Sequence, residues 1–189
     1  MDKIQNFVEA ILALSLIVLL LPIIFVISLL IKFTSPGPIF HWSKRVGANN
    51  KIFMMPKFRT MKINTPQLAT HLLENPQDFY SPIGMWLRKY SLDEVPQLIS
   101  IMRGDMHFVG PRPALYNQED LIALRKNAGV DKLVPGVTGW AQINGRDEIS
   151  IQCKVEFDLE YLYKRSFKFD FYILLLTLLK VLRKEGISH

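Results

Sequence analysis

The stretch AILALSLIVLLLPIIFVISLLI, residues 10–31, decides how this chain is organised because it contains no charged residue. It is about as long as the ~20 apolar residues that a helix needs to cross the hydrocarbon core of a bilayer. No second run of this length occurs in the 189 residues, which argues against a multi-span transporter. The uncharged run itself disfavours a freely soluble enzyme. We therefore expect one folded domain with an N-terminal membrane anchor.

Pro22 lies near the middle of this run and leaves its topology open. Proline removes a backbone donor and clashes with the preceding turn, so the helix should bend near residues 18–21. The flanking charges, Lys3 on one side and Lys32 on the other, give no sharp contrast for orientation. The residues alone permit a kinked helix that spans the bilayer. That kinked spanning helix is the default from the residues alone, and a re-entrant helix that leaves on the face where it entered is the less favoured alternative.

The composition of the whole chain limits its class further. Hydrophobic residues make up 49% and charged residues 21%, which excludes a disordered protein. Lysines and arginines number 23 against 17 aspartates and glutamates, for a net charge of +6. The single cysteine, Cys153, excludes a disulfide framework and a cysteine-cluster zinc site.

Turn residues divide the rest of the chain into short predicted elements. Residues 39–45 and 51–58 resemble strands and flank the turn-forming residues 47–50, a pattern that predicts a β-hairpin. Apolar residues at helical spacing predict a helix over 83–102, which Pro96 should kink. The glycine- and proline-rich residues 104–113 predict a turn-rich loop, and the glycine-rich residues 135–145 predict a packed loop or short strand.

Three further segments have helical patterns, at 117–127, 149–163 and 167–182. The last contains an apolar cluster, residues 171–179, that is well short of the ~20 residues needed to span a bilayer. The charged residues Asp170, Lys180, Arg183 and Lys184 bracket this cluster, and we favour a helix that lies in the membrane interface over a helix of the protein core.

The adjacent carboxylates Asp93 and Glu94 are the candidate chemical centre because no P-loop, GxGxxG, HExxH, GxSxG or DxD motif is present. Adjacent carboxylates are most often surface charge, but these lie beside a proline in an apolar segment. One carboxylate could hold Mg²⁺, which binds through one or two carboxylates plus substrate phosphates. The other could attack phosphorus, as aspartate nucleophiles do.

Basic residues near turns favour a phosphate or diphosphate substrate, because arginine binds phosphate oxygens bidentately and a rigid backbone lowers the entropy lost on binding. Arg112 is the clearest case, since Pro111 and Pro113 fix its backbone. A solvated basic face attracted to anionic lipid explains the same charges equally well. The candidates are Lys57, Arg59, Arg88, Arg112 and Arg146.

Five motifs follow one another along the chain: KFRTM at 57–61, SLDEVPQL at 91–98, GDM at 104–106, VGPRP at 109–113 and PGVTGWAQINGR at 135–146. In this order they resemble the bacterial sugar transferase family, the small monotopic phosphoglycosyl transferases. The resemblance covers nearly the whole chain.

The resemblance implies transfer of a phosphosugar from a UDP-sugar to a polyprenol phosphate, usually undecaprenyl phosphate, with release of UMP. Asp93 would be the nucleophile that forms a covalent phosphosugar intermediate. Glu94 would hold Mg²⁺, with Asp93 as the second candidate ligand. The nucleotide would contact Pro111, Arg112 and Pro113, and the substrate phosphates would contact Lys57, Arg59, Arg88 and Arg146.

The resemblance also implies an α+β, mostly helical fold with a re-entrant membrane helix broken at Pro22. We expect this anchor at residues 1–33. A small phosphoglycosyl transferase domain, with a β-hairpin and amphipathic interface helices, should follow at residues 34–189. The domain would lie on the cytoplasmic face of the bacterial inner membrane.

Several alternatives remain at this stage. A basic, membrane-anchored adaptor that binds anionic lipid would have no activity. An enzyme in which the polyprenol phosphate attacks directly would use Asp93 and Glu94 as a metal pair only. We expect no nucleic-acid partner and regard a homodimer as compatible with the sequence. No residue pattern selects the sugar.

Overall fold

The long apolar segment forms a single helix, α1, from Asp2 to Thr34, in a computed structural model that describes residues 2–66, 75–145 and 149–183. The helix continues on both sides of Pro22, and a re-entrant break at this residue stays a prediction. Within the described part of the chain, α1 is the one helix long and apolar enough to cross a membrane.

The predicted β-hairpin is confirmed. Strand β1, Phe40–Val46, pairs antiparallel with β2, Ile52–Phe58. The connection contains a short 3₁₀ turn in which Asn49 and Asn50 have φ values of 52° and 59°. Asparagine tolerates this left-handed conformation better than most residues, which explains the turn.

The single helix predicted over 83–102 is wrong. The chain instead forms α2, Gly84–Lys89, a 3₁₀ helix, Leu92–Gln97, and α3, Leu98–Met102. The break falls at Ser91, whose φ of 54° is left-handed and cannot continue a right-handed helix. Periodicity could not reveal it, because the apolar residues keep a helical spacing across the break.

A small parallel sheet joins one segment predicted as a turn-rich loop, 104–113, to one predicted as a packed loop or short strand, 135–145. Strand β3, His107–Val109, pairs with β4, Gly136–Thr138. The strands approach so closely that a Cβ on Gly136 would lie 2.1 Å from the backbone nitrogen of Gly110. Glycine is therefore required at this contact.

The three remaining helical predictions are confirmed, as α4 (Glu119–Asn127), α6 (Ile151–Lys164) and α7 (Phe167–Arg183). A short helix, α5 (Trp140–Asn144), follows β4. Helix α7 buries Ile173 completely but leaves Phe171 and Leu178 more than half exposed. Its position in the membrane interface stays a prediction.

Helix α1 packs against the folded body near both of its ends. Near the start, the guanidinium of Arg165 donates to the side-chain oxygen of Gln5 at 3.0 Å. In the first half, Ala13 is completely buried in one apolar cluster. Near the end, Ile31 is completely buried against Phe58 in another. These apolar clusters hold β2, the strand that carries the candidate residue Lys57, beside the anchor.

Candidate active site

The two candidate carboxylates lie in the first turn of the 3₁₀ helix Leu92–Gln97, which packs against β2. The left-handed conformation of Ser91 starts this turn, and the carbonyl of Ser91 accepts a hydrogen bond from the amide of Glu94 at 3.2 Å. Asp93 is only 6% exposed. A buried carboxylate in a strained turn fits the prediction of a chemical centre better than that of surface charge.

Glu94 is held by two cations that come from distant parts of the chain. Its Oε1 atom accepts from Nζ of Lys57 at 2.8 Å and from Nη2 of Arg112 at 2.9 Å. Burial by itself would raise the pKa of this carboxyl, but Arg112 and Lys57 outweigh it and hold the pKa well below its usual range. Glu94 is therefore ionised throughout the physiological range.

Asp93 has the opposite electrostatic character. Burial raises the pKa of its carboxyl, and Glu94 raises it further, while the positive charges of Lys57, Arg88 and Arg112 oppose the shift. A less solvated and more basic carboxylate is a better nucleophile than an exposed one. The adjacent carboxylates thus differ in character, because Glu94 is held by ion pairs whereas Asp93 is buried and has a raised pKa. Their predicted roles, nucleophile for Asp93 and magnesium ligand for Glu94, stay predictions.

Lys57 reaches the site from strand β2. Its side chain is 15% exposed, and burial lowers its pKa even though Glu94 lies beside it. Its cross-strand partner is His41, which we did not single out in the sequence. Burial and the positive charges of Lys57, Arg45 and Arg88 lower the pKa of His41, so its imidazole is neutral at pH 7. Strand register alone could have indicated this neighbour.

Arg88 extends from α2 and contributes positive charge to the same site. Its Nε atom donates to Oγ1 of Thr60 at 3.0 Å, and its Nη1 atom donates to the hydroxyl of Tyr80 at 3.3 Å. The guanidinium carbon also lies 5.1 Å from the centre of the Tyr80 ring. These contacts orient a cation whose field favours the ionised form of Asp93.

Arg59 has different partners. It is 5% exposed, and its guanidinium donates to the carbonyls of Ser35 and Pro36 at 2.8 and 2.5 Å. These carbonyls immediately follow α1, so Arg59 fixes the end of the anchor to β2. Its predicted contact with a substrate phosphate stays a prediction. Arg146 lies outside the described residues.

The loop Pro111–Pro113 brings Arg112 to Glu94 of the acidic pair. The predicted contact of this loop with the nucleotide stays a prediction. The Arg112 side chain is 37% exposed, so its guanidinium is accessible from solvent while it binds Glu94. The loop follows β3 directly and is bound to β4 through the amide of Gly136, which donates to the carbonyl of Pro111 at 3.0 Å. The unpredicted parallel sheet therefore positions the predicted Pro-Arg-Pro motif.

The residues present fit a magnesium ion that is completed by substrate. Within residues 2–66, 75–145 and 149–183, no group of three or more His, Cys, Asp or Glu side chains could hold a metal. Mg²⁺ does not need such a group, because one or two carboxylates plus substrate phosphates satisfy it. Asp93 and Glu94 would be those carboxylates, and the positive charges of Lys57, Arg88 and Arg112 beside them suit substrate phosphates. The magnesium ion itself stays a prediction.

The chain thus combines one long apolar helix with a buried carboxylate, Asp93, and several cations around it. The profile of the family described as "Bacterial sugar transferase" matches residues 1–184. The chain belongs to this family.

Similar proteins from several bacteria support this assignment. An uncharacterized sugar transferase EpsL of Bacillus subtilis is 40% identical over 81% of this chain and 74% of its own length. The exopolysaccharide production protein ExoY of Rhizobium meliloti is 35% identical over 87% of this chain and 79% of its own. The UDP-glucose:undecaprenyl-phosphate glucose-1-phosphate transferase of Escherichia coli is 37% identical over 91% of this chain, which spans only 39% of that relative.

Proposed function

We propose that this enzyme transfers a sugar 1-phosphate from a UDP-sugar to undecaprenyl phosphate, with Asp93 as a covalent nucleophile. One observation carries the proposal. The buried carboxylate of Asp93, whose pKa is raised, lies beside Glu94, and one oxygen of Glu94 binds both Lys57 and Arg112. The names of similar proteins, which include undecaprenyl-phosphate glucose and galactose phosphotransferases, supply the substrate class.

In the first proposed step, a carboxylate oxygen of Asp93 attacks the phosphorus that carries the sugar. A new oxygen–phosphorus bond forms, and the bond to the bridging oxygen breaks, so that oxygen leaves with UMP. Lys57, Arg88 and Arg112 lie close enough to influence the charge of Asp93, and they would stabilise the charge that develops on the phosphates.

In the second step, a phosphate oxygen of the polyprenol carrier attacks the same phosphorus. The bond to Asp93 breaks, which regenerates the carboxylate and releases the polyprenyl diphosphosugar. Two sequential steps allow a water-soluble donor and a lipid acceptor to use one small site in turn. When bound at Glu94 and Asp93, Mg²⁺ would neutralise diphosphate charge and orient the leaving group.

The packing of α1 supports a monotopic arrangement. A helix of 33 residues is ~50 Å long, whereas the hydrocarbon core is ~30 Å thick. Yet Glu9 near one end accepts a hydrogen bond from the amide of Phe108 at 2.9 Å, and Ile31 near the other end packs on Phe58. Because both ends contact the same folded body, a perpendicular span that places them on opposite sides of the bilayer is disfavoured.

Topology can be tested directly. A cysteine introduced at position 2, in a Cys153→Ser background, should resist a membrane-impermeant thiol reagent added from the periplasm. A cysteine at exposed Lys51 should behave in the same way. Labelling at position 2 but not at position 51 would show a spanning helix instead.

Activity can be tested by measuring UMP release with undecaprenyl phosphate, Mg²⁺ and a panel of UDP-sugars. We expect release with at least one donor, and loss of turnover in Asp93→Asn. A panel without any UMP release would favour the non-catalytic lipid-binding adaptor.

The covalent step has its own test. Incubation with donor alone should add one phosphosugar to the intact protein, and peptide mapping should place it on Asp93. Ping-pong kinetics should accompany this adduct. A ternary-complex pattern without an adduct would favour direct attack by the polyprenol phosphate.

A further inference from the structure

Four consecutive carbonyls of the loop that carries Arg112 accept hydrogen bonds from other elements. The carbonyl of Pro111 accepts from the amide of Gly136 at 3.0 Å, and that of Ala114 accepts from the amide of Val46 at 3.0 Å. Both donors belong to strands, β4 and β1. The outer carbonyls of the loop are thus held by backbone.

The two inner carbonyls are held by arginine side chains. Nη1 of Arg125 donates to the carbonyl of Arg112 at 2.8 Å, and Nη1 of Arg45 donates to the carbonyl of Pro113 at 3.1 Å. Charged donors form the stronger hydrogen bonds. The residue that binds Glu94 is therefore fixed at its own backbone by Arg125, from helix α4.

Arg125 is itself held by a buried carboxylate on α6. Oδ2 of Asp158 accepts from Nε and Nη2 of Arg125 at 2.9 and 2.6 Å. Asp158 is 1% exposed, and the Arg125 side chain is 11% exposed. All three nitrogens of the guanidinium are thus used, two by Asp158 and one by Arg112. Lysine could not reproduce this planar arrangement.

The carboxylate also balances the charge of Arg125. A buried guanidinium in contact with a carboxylate presents little net charge to its surroundings. Its effect on Arg112 is therefore geometric, through the carbonyl that it holds. A displacement of ~1 Å at a group that contacts substrate can cost about 100-fold in rate, so such a contact can matter for catalysis.

We infer that Arg125, oriented by Asp158, is a positioning residue that holds the Arg112 backbone so that the Arg112 side chain reaches Glu94 and the donor phosphates. The inference rests on the proposed function for its activity readout. It assigns a role to α4 and α6, which supply neither the acidic pair nor the Pro-Arg-Pro motif. The relay runs from Asp158 through Arg125 and Arg112 to Glu94.

A double-mutant cycle on the full chain tests this relay. Replacing Arg125 alone would leave Asp158 buried and unpaired, which can prevent folding. The combined variant Arg125→Gln/Asp158→Asn, called the neutral pair, leaves no buried charge. We expect the neutral pair to lower kcat/KM for the UDP-sugar about 100-fold in an otherwise unchanged chain. In an Arg112→Ala background, it should lower kcat/KM only a few-fold, since no side chain remains to position.

Leu121→Ala is the matched control, because Leu121 is a buried residue of the same helix α4. Its cavity should reduce kcat/KM by the same factor with and without Arg112. If the neutral pair likewise has equal effects in both backgrounds, its role is merely structural and the inference is wrong.

Hydrogen exchange provides a readout that does not depend on activity. The amides of Arg112 and of residues 114–116 should exchange about tenfold faster in the neutral pair, as expected for the loss of a hydrogen bond from a charged donor. Unchanged exchange there would overturn the inference even in an active enzyme. Absence of UMP release from the unsubstituted chain would instead refute the proposed function, and the exchange result would still decide whether Arg125 holds the loop.

Discussion

Replacement of Lys57 by methionine should affect both carboxylates, since Glu94 loses an ion pair and the pKa of Asp93 rises further. Methionine keeps the length and apolar volume of the side chain but removes the ammonium group, whose Nζ lies 2.8 Å from Oε1 of Glu94. Glu94 retains Arg112, at 2.9 Å. One charged hydrogen bond contributes about 1.5–3 kcal/mol, and release of a buried ammonium offsets part of this, so we expect a stability loss of about 1–2 kcal/mol.

The pH dependence of the same variant gives the sharper readout. Asp93 must be ionised to attack, so activity falls as the pH falls through its pKa. Burial already raises this pKa above the ordinary value of 3.8, and Lys57 opposes the shift. Removal of Lys57 should therefore move the acid limb of kcat/KM to higher pH. The rate on the plateau should fall about 100- to 1,000-fold, as for loss of one charge-stabilising donor.

The assay is UMP release as a function of pH at saturating Mg²⁺, together with thermal unfolding. Lys51→Met is the matched control, because Lys51 is exposed in the turn of the same hairpin. It should change neither the plateau nor the acid limb. If the limb of Lys57→Met stays in place or moves to lower pH, the electrostatic account of Asp93 is refuted.

Three further predictions concern the attachment of the anchor α1 and the position of α7. Arg59→Met should lower the free energy of unfolding by about 2–4 kcal/mol, because two carbonyls lose charged donors, with KM for the UDP-sugar unchanged; a raised KM with unchanged stability would support the phosphate-contact role instead. Glu9→Ala should lower the free energy of thermal unfolding by about 1–3 kcal/mol, because the backbone amide of Phe108 loses the carboxylate that accepts its hydrogen bond. An effect no larger than that of Phe7→Ala, on the exposed side of α1, would count against this attachment. An environment-sensitive fluorescent dye can be attached to the cysteine of Leu178→Cys in a Cys153→Ser background, because Leu178 is exposed. Its emission should shift to shorter wavelength when vesicles are added if α7 lies in the interface, whereas an emission unchanged from that in buffer would place α7 away from lipid.

Local patterns were sufficient to predict much of the fold. The hairpin, α4, α6 and α7 were all predictable because their periodicity and turn residues lie within short segments. The break at Ser91 was not predictable, since a left-handed residue leaves no trace in apolar spacing. The pairing of β3 with β4 was not predictable either, because each strand has three residues and its partner lies in a distant glycine-rich segment.

The residues of the candidate site could in part be predicted from the sequence, but their contacts could not. Asp93 and Glu94 could be found from their motif, and so could Arg112 between its two prolines. The sequence did not show that Lys57 and Arg112 bind one oxygen of Glu94, because these residues lie 37 and 18 positions away from it. Nor did it distinguish Arg59, which holds the end of α1, from Lys57 two residues earlier.

The sequence by itself determined the long apolar segment, the family and the identity of the acidic pair, because each depends on residue types within short stretches of the chain. The tertiary structure alone decided which carboxylate is ion-paired and which is buried and basic, because that difference arises from groups on β2, α2 and the Pro-Arg-Pro loop. It also decided that α4 and α6 support this loop through Arg125 and Asp158, which lie 33 residues apart. Hydrogen bonds and desolvation act across space, so contacts of this kind exist only once the chain has folded.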